Sequence, residues 1–412
     1  MLDLKFIREN PEAVKTALKN RQKDPILLDE VLGADKTKKE LQAKVEELRS
    51  KRNRLTKEQI DEAKEVKNQL KDLEPKLKEA EEKLTTALAN VPNLPAPDVP
   101  IGKDDTGNVE IKRWGDLPKF GFLPKDHVEI GEALDIIDIQ RAGKVSGTRF
   151  GYFKGDGALL ELALMWHVFK KLAGKGFIAN VPPVITKKEV EWGMGYSEHG
   201  GWEQMYLFEK DGVLFIGSSE HSVIPMHKDE VFKEEQLPLR YVNFSTCFRR
   251  EAGSYGKDTR GLFRVHQFNK VEMNIYTLPD MEASDKECQY LLSLEEEVVQ
   301  ELGLPYQIMN CCTGDIPLPN RRMYDLQIWF PGQNKYRETH SCSNCTDYQT
   351  RRLNIKVKTK DGEKFVHALN ATAITDRAVL AILENYQQAD GSVIVPEILR
   401  SFVGKDKITP RK

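Results

Sequence analysis

No uninterrupted apolar run in the 412-residue sequence approaches 18 residues, so nothing in it reads as a membrane-spanning helix. The opening MLDLKFIRENPEAVK has no apolar core and carries acids early, and reads as neither a secretory leader nor an acid-poor transit peptide. Cysteine is scarce. Cys247, Cys288, Cys311, Cys312, Cys342 and Cys345 form no disulfide framework in a chain this long, which points to a reducing cytoplasm. Charge of one sign is not in excess: the formal net charge is −2. That excludes a uniformly basic nucleic-acid binder and gives no reason to expect DNA as a partner, so any RNA binding must come from local patches. The phosphate-binding pattern GxxxxGK[ST] is missing. Gly193 and Gly195 begin a GxG, but Glu198 stands where a dinucleotide fingerprint needs glycine. If the chain handles ATP, side chains on strands must do it.

What is there divides in two. Residues 28–91 are rich in Lys and Glu, have no glycine after Gly33, and carry alternating steps of three and four between apolar residues. Leu41, Val45, Leu48 and Leu55 form one seam, with Arg52 in phase. Ala63, Val66, Leu70, Leu73, Leu77, Ala80, Leu84 and Val91 form a second, with Ala87 in phase. The seam breaks near 56–60, which predicts two helices folded back as an antiparallel coiled-coil hairpin. At roughly 30 residues and about 1.5 Å per residue, each helix spans about 45 Å. Pro75 falls inside the second helix and predicts a kink. Arg49, Lys51, Arg52, Arg54 and Lys57 cluster at the tip without an intervening acid. They suit a phosphate backbone, and equally a solvated charged end.

The four-proline segment VPNLPAPDVPIG (91–102) ends the hairpin and reads as a linker. Domains are therefore expected at 1–104 and 105–412, with the hairpin at about 28–91. Beyond the linker, 159–172 has a helical pattern, while 214–220, 241–249, 263–275, 324–330 and 335–341 read as strands. Few helices separate these strands, so the expected class is α+β, with an antiparallel sheet flanked by helices.

Chemistry concentrates in FRREAGSYGKDTRGLFRVHQFNKVE (248–272). On extended strands, residues two apart share a face. Arg249 and Glu251 are expected on one face, and so are Arg264, His266, Phe268, Lys270 and Glu272, with Val265, Val271, Met273 and Ile275 behind. Either strand alone resembles an ordinary surface strand. Joined by AGSYGKDTRG, they offer guanidinium, carboxylate and a ring, which suit a triphosphate, an amine and a purine.

This run is similar to motif 2 of class II aminoacyl-tRNA synthetases, in the form carried by the seryl-tRNA synthetase family. The likeness continues through the opening MLDLKFIRENPE, the hairpin, the proline linker, GFIANVPP (176–183, resembling motif 1), YDLQIWFP, YRETHSCSNCTDYQTRR and ALNATAITDRAVLAILENYQQADGSVIVPEIL. The resemblance implies activation of L-serine with ATP and Mg²⁺ to seryl-adenylate, then transfer to tRNA(Ser), and to tRNA(Sec) where one exists. It implies that Arg249 and Arg377 are catalytic, stabilising the α- and γ-phosphates. Glu251, Val265 and Phe268 would hold the nucleotide, and Glu338 with Ser341 would carry the Mg²⁺–ATP. Serine would be held by Ser218, Ser219, Glu220, Arg249, Glu272, Asn370 and Thr372. A homodimer is implied through motif 1, with the hairpin reaching tRNA bound across the dimer.

Three departures from the family pattern stand out. Ser218 replaces threonine, Gln327 stands where glutamate is expected, and Asn370 lies seven residues before Arg377, one fewer than the family spacing. Cys342 and Cys345 form a CxxC that, with Cys311 and Cys312, leaves structural zinc open. Two other readings remain: a paralogue that loads a carrier protein, and a catalytically dead scaffold. The hairpin argues against the first, and retention of Arg249, Glu251, Glu272, Glu338 and Arg377 argues against the second.

Overall fold

The computed structural model describes residues 1–56, 58–252 and 261–410. Lys57 and most of the motif 2 turn therefore lie outside the described residues. The chain divides into two compact units, Met1–Leu94 and Pro95–Lys412.

The first unit is the hairpin with a small helical base. Ile26–Arg54 and Ile60–Asn90 are helices of 29 and 31 residues. They pack on Val45, Val66 and Leu70, with Leu48, Leu55, Leu73 and Leu77 beside them, as the three–four spacing requires. Toward the base, Leu84 and Leu88 join Leu28 and Val31 against Ile7, Val14 and Leu18 of the first two short helices. The expected break at Pro75 does not occur: Ile60–Asn90 is one helix through Pro75, whose ring lies on the exposed side. Asp35 is buried, and Arg8 explains it, donating to both carboxylate oxygens at 2.8 and 2.5 Å. At the tip, Arg49 and Lys51 pair across the hairpin with Glu74 and Glu62, each at 2.9 Å. Among the described residues Arg52 and Arg54 have no ion pair.

The second unit is built on an eight-stranded sheet. From one edge the strands are Val109–Trp114, Tyr306–Asn310, Arg322–Phe330, Lys335–Thr346, His367–Thr375, Gln267–Thr277, Leu239–Phe248 and Ile178–Asn180. All neighbours are antiparallel except the last pair. Helices Asp156–Gly174, Met281–Glu301 and Asp376–Asn385 carry the apolar side. Leu160, Leu164, Val168, Leu291, Val298, Val379 and Leu383 meet Val271, Met273, Ile275, Leu326, Ile328, Cys342 and Ala371 in one core. Residues alternating with these, among them Lys270, Glu272, Ser341 and Thr372, therefore belong to the opposite side of the sheet. Among the described residues no helix is long and apolar enough to cross a membrane.

Two bulges shape that opposite side. Leu326 pairs with His340 but Gln327 pairs with Glu338, so Thr339 is an extra residue in its strand. Val271 pairs with Ile374 but Glu272 pairs with Thr372, which makes Ala373 extra in turn. Each bulge reverses the alternation beyond it.

Candidate active site

Strand ends and bulges place the candidate residues. The strand Leu239–Phe248 stops one residue short of Arg249, and Gln267–Thr277 begins after His266. The expectation that Arg249, Glu251, Arg264 and His266 lie on regular strands is therefore corrected. Backbone pairing persists only as far as Arg249 N donating to His266 O at 2.9 Å. Glu251 has φ +52°, a left-handed conformation that turns the chain. Its carboxylate accepts from Arg264 Nη1 at 2.7 Å.

The expected strand 214–220 is corrected too. Val213–Phe215 is a strand, but Glu220 opens the short helix Glu220–Val223. Ser218 and Glu220 thus do not share a strand face. The chain turns at Gly217, whose carbonyl accepts from Arg249 Nε at 3.1 Å. Ser219 is buried, and its Oγ has no hydrogen-bond partner among the described residues.

An outer cavity of about 540 Å³, counting space at its mouth, gathers Arg249, Glu251, Val265, Phe268, Glu338, Ser341, Thr372 and Arg377. Glu338 and Ser341 are three residues apart and would face opposite ways on a regular strand; the extra Thr339 brings both to the cavity. Arg377 enters from the first turn of Asp376–Asn385, where the Thr375 side chain caps its backbone N–H. It donates from Nε to Phe263 O at 3.2 Å and from Nη1 to Glu338 O at 2.9 Å, and lies 4.7 Å from the Phe263 ring centre. The Arg249 guanidinium sits 5.3 Å from the Phe268 ring centre. The cavity thus offers two held guanidinium groups, an aromatic face, a carboxylate and a hydroxyl.

An inner polar pocket adjoins it through Thr372. Lys270 Nζ contacts Glu272 Oε2 at 2.5 Å and donates to Ser218 Oγ at 2.8 Å. Thr372 Oγ1 donates to the same Glu272 oxygen at 3.4 Å. Glu220 Oε1 accepts from Gln349 Nε2 at 2.7 Å and from the Tyr196 hydroxyl at 3.0 Å. Burial pushes the Glu220 carboxyl above its ordinary range, against the pull of neighbouring His221, Gln349 and Lys270. His221 Nδ1 lies 2.7 Å from Glu191 Oε2. Burial disfavours charge on that ring, but the charge and hydrogen bond of Glu191, with Glu220, outweigh it and raise the group.

Sequence reading left Lys270, Tyr196, Gln349 and Glu191 without roles. Strand parity placed Lys270 beside Glu272 but could not reveal its contact with Ser218. The other three come from distant segments and carry no local signal. Asn370 shares the side of Thr372 but contacts Cys345 Sγ at 3.9 Å and does not line the outer cavity. Gln327 Oε1 accepts from Gln307 Nε2 at 2.8 Å.

The CxxC does not converge. Cys342 Sγ lies 3.8 Å from Cys288 Sγ, and Cys345 Sγ lies 3.4 Å from Asn320 Oδ1. Among the described residues, metal-ligand spacing occurs at Cys311, Asp315 and Asp325, whose ligand atoms lie within 4.8 Å of one another. Burial raises the Cys311 thiol and the Asp325 carboxyl well above their ordinary ranges, which favours their uncharged forms.

Comparison with known proteins agrees with this layout. Residues 206–386 match the tRNA synthetase class II core domain (G, H, P, S and T), and residues 1–95 match the seryl-tRNA synthetase N-terminal domain. The serine–tRNA ligase of Dictyoglomus thermophilum is 40% identical over 427 residues, covering 100% of both chains. That of Treponema denticola is 42% identical over 425 residues, covering 99% of this chain and 100% of its own. Seryl-tRNA synthetase from Pyrococcus horikoshii, solved with ATP, superposes with a TM-score of 0.93 at 37% identity over 100% of both chains. The cytoplasmic serine–tRNA ligase of Naegleria fowleri, solved with AMP, gives 0.90 at 31% identity, covering 100% of this chain and 99% of that one.

Proposed function

The chain belongs to the seryl-tRNA synthetase family of ATP-dependent ligases, and on that premise we propose that the outer cavity binds ATP and the inner pocket binds L-serine. One observation carries the assignment. Arg249, Phe268, Glu338, Ser341 and Arg377 come from four separate segments and converge on one cavity, which opens onto the buried carboxylates Glu220 and Glu272.

The reaction follows in two steps. The serine carboxylate attacks the α-phosphorus, the bond to the bridging oxygen breaks, and pyrophosphate leaves. The terminal adenosine hydroxyl of tRNA(Ser) then attacks the carbonyl of seryl-adenylate and expels AMP. tRNA(Sec) is a further substrate where the cell has one. Phe268 stacks on adenine, with Val265 and Glu251 against the nucleotide. Arg249 meets the α-phosphate and Arg377 the γ-phosphate. Their fixed positive charges stabilise charge growing on phosphate oxygens, and no general base is required. Glu338 and Ser341 present hard oxygens on one side of the bulge, which suits Mg²⁺. When bound, the ion neutralises phosphate charge. In the inner pocket Glu272 takes the serine ammonium, and Ser218, Glu220 and Thr372 surround the hydroxyl, with Ser219 and Asn370 behind them.

The hairpin unit is the tRNA-binding domain, through Arg49, Lys51, Arg52, Arg54 and Lys57. A homodimer is supported by Leu159, Leu162 and Trp166, which expose one apolar stripe of helix Asp156–Gly174, with Ile178 and Val181 also exposed. All six cysteines are unbridged and buried, which suits a reducing cytoplasm. Deleting residues 34–88 should spare serine-dependent ATP–pyrophosphate exchange and abolish tRNA charging. Charging by the deleted enzyme would contradict the role given to the hairpin.

A further inference from the structure

The inner pocket contains a cation that no part of the proposed chemistry uses. Lys270 is 4% exposed, Ser218 4% and Glu272 1%, so the three form a contact sealed from bulk water. A long flexible ammonium is costly to bury unless its donors are satisfied. Here it contacts Glu272 and Ser218.

The contacts are directional. Both bonds made by the Glu272 carboxylate fall on Oε2, from Lys270 and Thr372, and Oε1 makes none among the described residues. Glu220 repeats the pattern: Tyr196 and Gln349 both hold Oε1. Each carboxylate is thus pinned by one oxygen and keeps the other for a ligand. Ser218 Oγ accepts from Lys270 Nζ and from Glu220 N at 3.3 Å. A hydroxyl has two lone pairs and one proton. With both lone pairs engaged, Ser218 can only donate to a third partner.

We propose that Lys270 is the positioning residue that makes this pocket selective for a hydroxyl-bearing amino acid. It fixes Glu272 as a one-oxygen acceptor and Ser218 as a donor. The proposal rests on the inner pocket being the serine site. A small amino acid whose ammonium meets Glu272 and whose hydroxyl oxygen accepts from Ser218 satisfies the set. Alanine leaves the Ser218 proton unpaired in a dry pocket, and such a mismatch is what gives hydrogen-bonding sites their discrimination. Lys270 need not touch the substrate, because it acts through the two groups that do. Without it, two carboxylates share the pocket with no interior cation, and Ser218 is free to rotate and to accept.

The test is steady-state ATP–pyrophosphate exchange by the full-length enzyme and its Lys270→Met variant, with serine, alanine and threonine, alongside ATP binding measured without amino acid. Methionine keeps the length and apolar stem and removes the charge. The expected result is a KM for serine raised about 100-fold, a serine-over-alanine preference reduced at least about tenfold, and ATP affinity within about threefold of wild type. An unchanged serine KM and preference would overturn the proposal. So would equal losses of serine and ATP binding, which a merely structural lysine produces. Should Lys270→Met fail to fold, Ser218→Ala removes one oxygen and leaves the ion pair. It should lower the serine-over-alanine preference about tenfold, and an unchanged preference overturns the proposal equally. Wild-type enzyme inactive with serine would instead refute the serine-site reading, and that control is read first.

Discussion

Arg377 illustrates how a single side chain is held before any substrate arrives. Its backbone is capped by Thr375, its guanidinium donates to two carbonyls, and it lies against the Phe263 ring. A cation fixed in this way needs little reorganisation as charge develops in a transition state. The spacing of seven residues from Asn370 to Arg377 is absorbed in the strand before the helix: the extra Ala373 still sets Thr372 opposite Glu272. Deeper in, His221 and Glu191 support the helix that carries Glu220. Folded His221 is raised above its ordinary value, so it holds its proton more tightly than the unfolded chain does. Its stabilising contribution is therefore full below about pH 6.5 and is lost as pH rises through the raised folded value. Glu191→Gln should cost more stability at pH 6 than at pH 8.5, read from urea midpoints of both proteins at the two pH values. An equal cost at both would contradict the assigned pairing.

At the scale of elements, regular periods were legible and irregularities were not. The three–four spacing gave the two long helices, because a seam of that period can bury only on a helix. Parity from Phe268 to Ile275 was right because that segment is an unbroken strand whose alternate residues enter the core. It failed at Arg249 and Glu251, which lie past a strand end, and at Ser218–Glu220, where the chain turns at Gly217 into a helix. Neither the bulge at Thr339 nor that at Ala373 has a signature in a period-two pattern, yet the first brings Glu338 and Ser341 together. Family likeness supplied those residues where periodicity could not. Pro75 was misjudged because its ring falls on the exposed side of the helix. The hairpin core is small, so Leu70→Ala should destabilise the first unit by about 3 kcal/mol. Two-step thermal melts and paired assays would read this: charging should fall, while pyrophosphate exchange stays within about twofold. An equal fall in both activities would mean that the hairpin serves the chemistry itself.

For the whole molecule, the exposed stripe on Asp156–Gly174 is the feature a lone chain leaves unexplained. Trp166 is 54% exposed and Leu162 48%, on a helix whose other side is core. Trp166→Glu combined with Leu162→Asp should convert a dimer to a monomer in sedimentation equilibrium. A dimer that persists would place the interface elsewhere. The central claim is that one cavity pairs ATP with serine, and ATP–pyrophosphate exchange by the intact enzyme across all twenty amino acids tests it most directly. The account predicts robust exchange with serine, and exchange with alanine lower by a factor on the order of 10⁴. No exchange with serine, or faster exchange with another amino acid, would contradict it.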